Sequence, residues 1–105
     1  MNLFQSLQKH CGAKQGARSF IHGKRKYNRT IDGVRHQRMI GYSVIHYRSP
    51  VMEDAKDVYY INVYSLRNRQ NQVSCEVNDP SWSELIRSME MLCNNVVNKS
   101  FYERN

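Results

Sequence analysis

Residues 24–40 read KRKYNRTIDGVRHQRMI, two strand-like runs around one turn signal. Asp32-Gly33 stands between two runs of strand length, Lys24 to Ile31 and Val34 to Ile40. An Asp-Gly pair suits the positive φ angles of a two-residue hairpin turn, whose twist matches that of the strands it joins. With the turn placed there, Ile31 pairs with Val34, Arg29 with His36 and Tyr27 with Arg38, all on one face because strand side chains alternate. Lys26, Asn28, Thr30, Arg35, Gln37 and Met39 take the other face. The expected element is a basic β-hairpin over residues 24–40.

Downstream, Gly41 is expected to bend or bulge the second arm. Tyr42 to Tyr47 is rich in β-branched and aromatic residues and is expected to enter the main sheet. Arg48 to Lys56, with Pro50 and Glu53-Asp54, reads as a loop. Val58 to Leu66 is the clearest strand and is expected to be central. Tyr59, Ile61 and Val63 lie on one face, and Val58, Tyr60, Asn62, Tyr64 and Leu66 on the other. A polar loop, Arg67 to Asn71, then leads to a returning strand, Gln72 to Asn78, with Val73, Cys75 and Val77 alternating against polar neighbours. Asp79-Pro80 reads as the cap and first residue of a helix over 79–97, with Ser81 and Glu84 at capping-box spacing. Trp82, Leu85, Ile86, Met89, Leu92, Cys93, Val96 and Val97 recur at i, i+3, i+4, i+7 and form its apolar face. The tail from Asn98 is expected to fray.

Upstream, Leu3, Phe4, Leu7 and Cys11 share a helical spacing, with Asn2 as cap and Gly12 as left-handed terminator. A small-residue connector, Gly12 to Gly16, precedes a short strand expected over Ala17 to His22. The elements compose an α+β fold. It comprises an antiparallel β-sheet of about four to five strands, a short N-terminal helix and a longer C-terminal amphipathic helix packed on one face. At 105 residues the chain suits a single domain over 1–105, around one core.

Charge is the main pointer to partners. Residues 1–50 hold ten Lys/Arg against Asp32 alone, a net +9, while the remainder holds six Lys/Arg against eight Asp/Glu, a net −2. Such a split makes one surface electropositive, which bears on partners rather than on fold. No apolar run reaches the ~20 residues of a bilayer-spanning helix, and Met1 to His10 lacks the pattern of a signal peptide. A cytoplasmic location without membrane contact is expected. Cys11, Cys75 and Cys93 are an odd number without CxxC spacing, which suits reduced thiols.

Catalytic and metal chemistry finds little support in the residues. His10, His22, His36 and His46 show no zinc-ligand spacing with the cysteines, so no metal and no cofactor is expected. Cys75 and Cys93 fall on apolar faces, where burial keeps a thiol protonated. Glu53, Asp54 and Asp57 read as a solvated acidic patch. Gly12 and Gly16 lack the Gly-Lys-Ser/Thr of a phosphate loop. The chain is therefore not expected to be an enzyme.

The hairpin instead concentrates groups suited to a nucleic-acid backbone. Arg25, Lys26, Arg29, Arg35 and Arg38 are the expected phosphate contacts, with Lys24 at the periphery and Tyr27 as the stacking residue. The expected partner is DNA or RNA, which a two-stranded ribbon can approach through the major groove. Two other readings compete with it. One is a solvated ribbon whose charges protect a sheet edge from aggregation. The other is a small inhibitor or adaptor that binds an acidic protein surface, such as a mobile-element or phage-encoded antagonist of a host nucleic-acid-handling or defence complex. Tyr42, Tyr47, Tyr59, Tyr60 and Tyr64 suggest an aromatic platform, although alternation lets only some of them share a face. An exposed strip on the first helix or an unpaired edge strand is compatible with a homodimer.

Overall fold

The computed structural model of the chain describes residues 3–12, 14–15, 20–48 and 57–102. In chain order the elements are α1 (Leu3–Cys11), β1 (Lys14–Gln15), β2 (Phe20–Ile31), β3 (Val34–Arg48), β4 (Asp57–Ser65), β5 (Gln72–Asn78) and α2 (Trp82–Phe101). The strands pair antiparallel in the order β1-β2-β3-β4-β5. Four of them are long and β1 has two residues, so this is the α+β arrangement the sequence implies.

The hairpin turn forms where Asp32-Gly33 places it. Both residues have positive φ, 52° and 76°, and Ile31↔Val34, Arg29↔His36 and Tyr27↔Arg38 are Cα partners. Two expectations about the arms are corrected. The strand expected at 17–22 is not separate, because β2 runs unbroken from Phe20 through Gly23 to Ile31, and residues 17–19 lie outside the described set. Gly41 is not a bulge, since the register passes Arg25↔Ile40, Lys24↔Gly41 and Gly23↔Tyr42 without a skip. Each glycine instead makes room for a ring. A Cβ on Gly23 would lie 2.6 Å from Cζ of Tyr42, and one on Gly41 would run into the ring of Tyr64.

Both helices pack on one face of the sheet. Ile21, Ile40, Tyr42, Val44, Tyr59, Ile61 and Val63 point inward from three strands and meet Leu85, Met89, Leu92, Cys93, Val96, Val97 and Phe101 of α2, with Phe4 and Leu7 of α1. Burying one large apolar side chain stabilises by roughly 1.5–3 kcal/mol, so this cluster dominates the fold. The helices touch where Cys11 Sγ lies 3.9 Å from Met89 Sδ and the His10 ring meets Trp82 edge-on at 5.5 Å. Between β3 and β5, β4 is an interior strand, while β3 occupies the middle of the five.

The boundaries of α2 differ from the expected 79–97 at both ends. Ser81 is the cap, and its Oγ accepts from the Glu84 N–H at 3.2 Å while its hydroxyl donates to Glu84 Oε1. Asp79 sits at φ 49°, and its N–H donates to the Asp57 carbonyl at 2.6 Å, so it closes the end of the β4–β5 ladder rather than starting the helix. At the other end the chain stays helical to Phe101, because Ser100 and Phe101 are buried. The Ser65 and Ser100 hydroxyls bond at 3.4 Å, and Asn71 Nδ2 donates to the Val96 carbonyl at 3.0 Å.

The expected loop over 48–56 lies outside the described residues from 49 onward, and Arg48 belongs to β3. Among the described residues no helix is long and apolar enough to cross a membrane.

Candidate functional site

Strand alternation divides the seven sequence-predicted contacts between two faces of the hairpin. Arg25, Tyr27, Arg29 and Arg38 share the face of Ile21 and Ile40 and therefore point toward α2. Arg25 Nη1 forms a 2.8 Å ion pair with Glu90 and lies 3.8 Å from the Cys93 sulfur. Tyr27 packs against the core beside it. Arg29 Nη2 donates to Asn98 Oδ1 at 2.8 Å, and Arg38 Nε donates to the Ser100 carbonyl at 3.2 Å. The guanidinium carbons of Arg29 and Arg38 stand 4.6 Å and 5.3 Å from the centre of the Phe101 ring. These arginines thus fasten the hairpin to α2 between Glu90 and Phe101 through charge, carbonyl and cation–π contacts.

Lys24, Lys26 and Arg35 occupy the outward face and are exposed. Among the described residues none of the three forms an ion pair. The antiparallel register sets Lys24 in a row that crosses the sheet, while Lys26 and Arg35 lie on the hairpin beyond β4, opposite Met39 and Thr30. Lys24, Gly41, Tyr64 and Gln72 form one row, His22, Ser43, Asn62 and Ser74 the next, and Phe20, Ile45, Tyr60 and Glu76 a third. Among the described residues Glu76 is the sole carboxylate at an outward strand position, it belongs to β5 at the far edge, and it accepts from the Tyr47 hydroxyl at 3.3 Å. The cations therefore gather on β2 and β3, away from Glu76, and the acid of their own hairpin is Asp32 in the turn.

Rings accompany the cations on this face. Of the five tyrosines that suggested a platform, Tyr42 and Tyr59 turn inward and are buried, whereas Tyr47, Tyr60 and Tyr64 turn outward. The Phe20 and His22 rings lie 5.6 Å apart on the outward side of β2. Tyr64 lies across Gly41, and Arg69, from the loop after β4, stands over its ring at 4.4 Å. A recess of about 370 Å³ opens beside Gly23, lined by His22, Lys24, Tyr42, Tyr64 and the end of α1.

The titratable groups of the interior serve packing. Burial pushes the Cys11, Cys75 and Cys93 thiols upward, so they are protonated at neutral pH. Burial also raises Tyr42 and Tyr59 to about 12, helped by Cys11 for Tyr42 and by the Asp57 carboxylate for Tyr59. The His46 ring is stacked between Phe4 and Tyr59 at 5.7 Å and 4.6 Å and bonds Asp57 at 3.1 Å. No group of three or more metal-binding side chains is assembled among the described residues.

Sequence reasoning found the three outward cations and the register that groups them. It missed the joining of Lys24 to Tyr64 across Gly41, which depends on the β3–β4 pairing, and it missed Arg69, whose loop position carries no periodic signal. Comparison of the chain with protein-family models, with curated proteins and with solved structures gave no match, so the reading of this face rests on its own geometry.

Proposed function

We propose that this chain binds nucleic acid, without catalysis, through the outward face of β2 and β3. Lys24, Lys26 and Arg35 meet phosphate oxygens, and Asn28 and Gln37, bonded to each other at 3.3 Å, lie between them as hydrogen-bonding groups. The observation that carries this reading is a set of exposed cations along the outward side of β2 and β3, where no strand position on that side of the two strands holds a carboxylate and hydrogen-bonding and aromatic groups stand nearby. An unneutralised cluster of this kind raises the local concentration of a polyanion and releases its counterions on contact. Arg25, Arg29 and Arg38 act one step back by holding the hairpin against α2.

The test is fluorescence anisotropy of purified, nuclease-treated protein with labelled DNA and RNA over a salt series. Each phosphate contact contributes ~0.7–0.9 to the slope of log K against log salt. The triple substitution Lys24→Ala, Lys26→Ala, Arg35→Ala is expected to flatten that slope by about 2 to 3 and to leave the thermal midpoint almost unchanged. An unaltered slope would overturn the reading and turn attention to an acidic protein partner.

A further inference from the structure

We infer that the nucleic acid held on this face is single-stranded, with bases stacked on the outward rings of β4; this rests on the nucleic-acid reading above. The hairpin is not a free ribbon. Its inward face carries the end of α2 as far as the Arg29 and His36 row, where Asn98 and Phe101 are seated. A helix with side chains is ~10–12 Å across, and the strand pair beneath it adds a further layer. That assembly is too thick for a duplex major groove ~12 Å wide. Only the few residues around the Asp32-Gly33 turn extend past the helix, and Arg35 is the one arginine or lysine among them.

The outward face, with Tyr60 and Tyr64 partly exposed on it, offers what a single strand needs. Tyr60 and Tyr64 are four residues apart on β4 and face the same way, so they stand about 13 Å apart at ~3.3 Å of rise per residue. Bases in a duplex strand follow one another at ~3.4 Å, and their faces are covered by their neighbours. Only an unstacked strand can lay one base on each ring. Lys24 shares the row of Tyr64 and Phe20 shares the row of Tyr60. The row between them, His22, Ser43, Asn62 and Ser74, presents hydrogen-bonding groups to base edges or sugars. Gly41 lets the Tyr64 ring lie close over the backbone, and Arg69 rests where a base would stack. A single exposed cation–π contact is weaker than base stacking, so a base displaces the guanidinium, which is then free to reach a phosphate.

The experiment compares one oligonucleotide with its own duplex, as DNA and as RNA, over a series from low to moderate salt. The proteins are wild type, Tyr60→Leu and Tyr64→Leu, each first shown to melt cooperatively. Expected are at least tenfold tighter binding of the single strand and about a tenfold loss in each leucine variant, with the salt slope retained. Wild-type protein needs no substitution to decide the first point. Duplex bound as tightly as single strand, or leucine variants that bind single strand undiminished, would overturn this inference while leaving the salt-dependent cation contact intact. Failure to bind either form at low salt would overturn both.

Discussion

Two glycine–tyrosine contacts show how the same residue pairing carries different weight on the two faces of one sheet. Tyr42 is 1% exposed, and its hydroxyl donates to the Cys11 carbonyl at 3.4 Å, so moving its ring when Gly23 gains a methyl group breaks that bond and disturbs the core. Gly23→Ala is expected to cost about 1–3 kcal/mol, as overpacking of a core does, read as a lower urea midpoint at constant m. Tyr64 lies on the open face and can swing outward, so Gly41→Ala is expected to cost less than ~1 kcal/mol, partly offset by the lost chain entropy of glycine in the unfolded state. Equal costs for the two would show that Tyr64 is as firmly held as Tyr42. In the sequence Gly41 suggested a bend, because a glycine within a strand announces only that a side chain is unwelcome. What excludes it here is a ring from β4, visible once β3 and β4 are in register.

The helix α2 was legible from its apolar period, but its ends were set by contacts that the period does not contain. Asp79-Pro80 resembles a helix start, yet the Asp79 N–H is committed to Asp57, and Ser81 caps in its place. Ser81→Ala should therefore lower stability by about 1 kcal/mol, read as a fall in the thermal midpoint, and an unchanged midpoint would mean that the Ser81 hydroxyl does not cap α2. At the far end the polar pair Asn98-Lys99 suggested fraying. Phe101 nevertheless stands four residues beyond Val97, on the same apolar stripe, and is 6% exposed between Arg29 and Arg38. Phe101→Ala should cost about 3 kcal/mol, through lost burial and the cation–π pair, and should raise amide exchange in the hairpin arm before the rest of the sheet. Uniform exchange across the sheet would mean that the arm and the core open together.

Across the whole molecule, the sequence located the basic half, and the alternation of strands divided that half into a structural set and a free set. The division was foreseeable from the turn, since Arg29 and Arg38 shared a face with Ile31 and Tyr27. That this face would be the covered one depended on long-range pairing with β4 and on the reach of α2. The interior also fixes how stability responds to alkali. The raised groups hold protons in the folded state that the unfolded chain releases, near pH 9 for thiols and near 10 for tyrosines against about 12 for folded Tyr42 and Tyr59. Their contribution is fully present below pH 9 and is lost as pH rises toward 12. Urea midpoints taken from pH 8 to 11 should fall, and a flat profile would mean that these groups titrate alike in both states. A final consequence follows from the continuity of β3, fifteen residues that run from the exposed turn to the middle of the core within a molecule 55 Å long and 25 Å wide. With β2 equally unbroken, the arm is a cantilever built into its wall, without a joint where the two meet. A load taken at the tip passes straight along two covalent chains into the packed interior, and a contact made there spends little of its energy on ordering the arm.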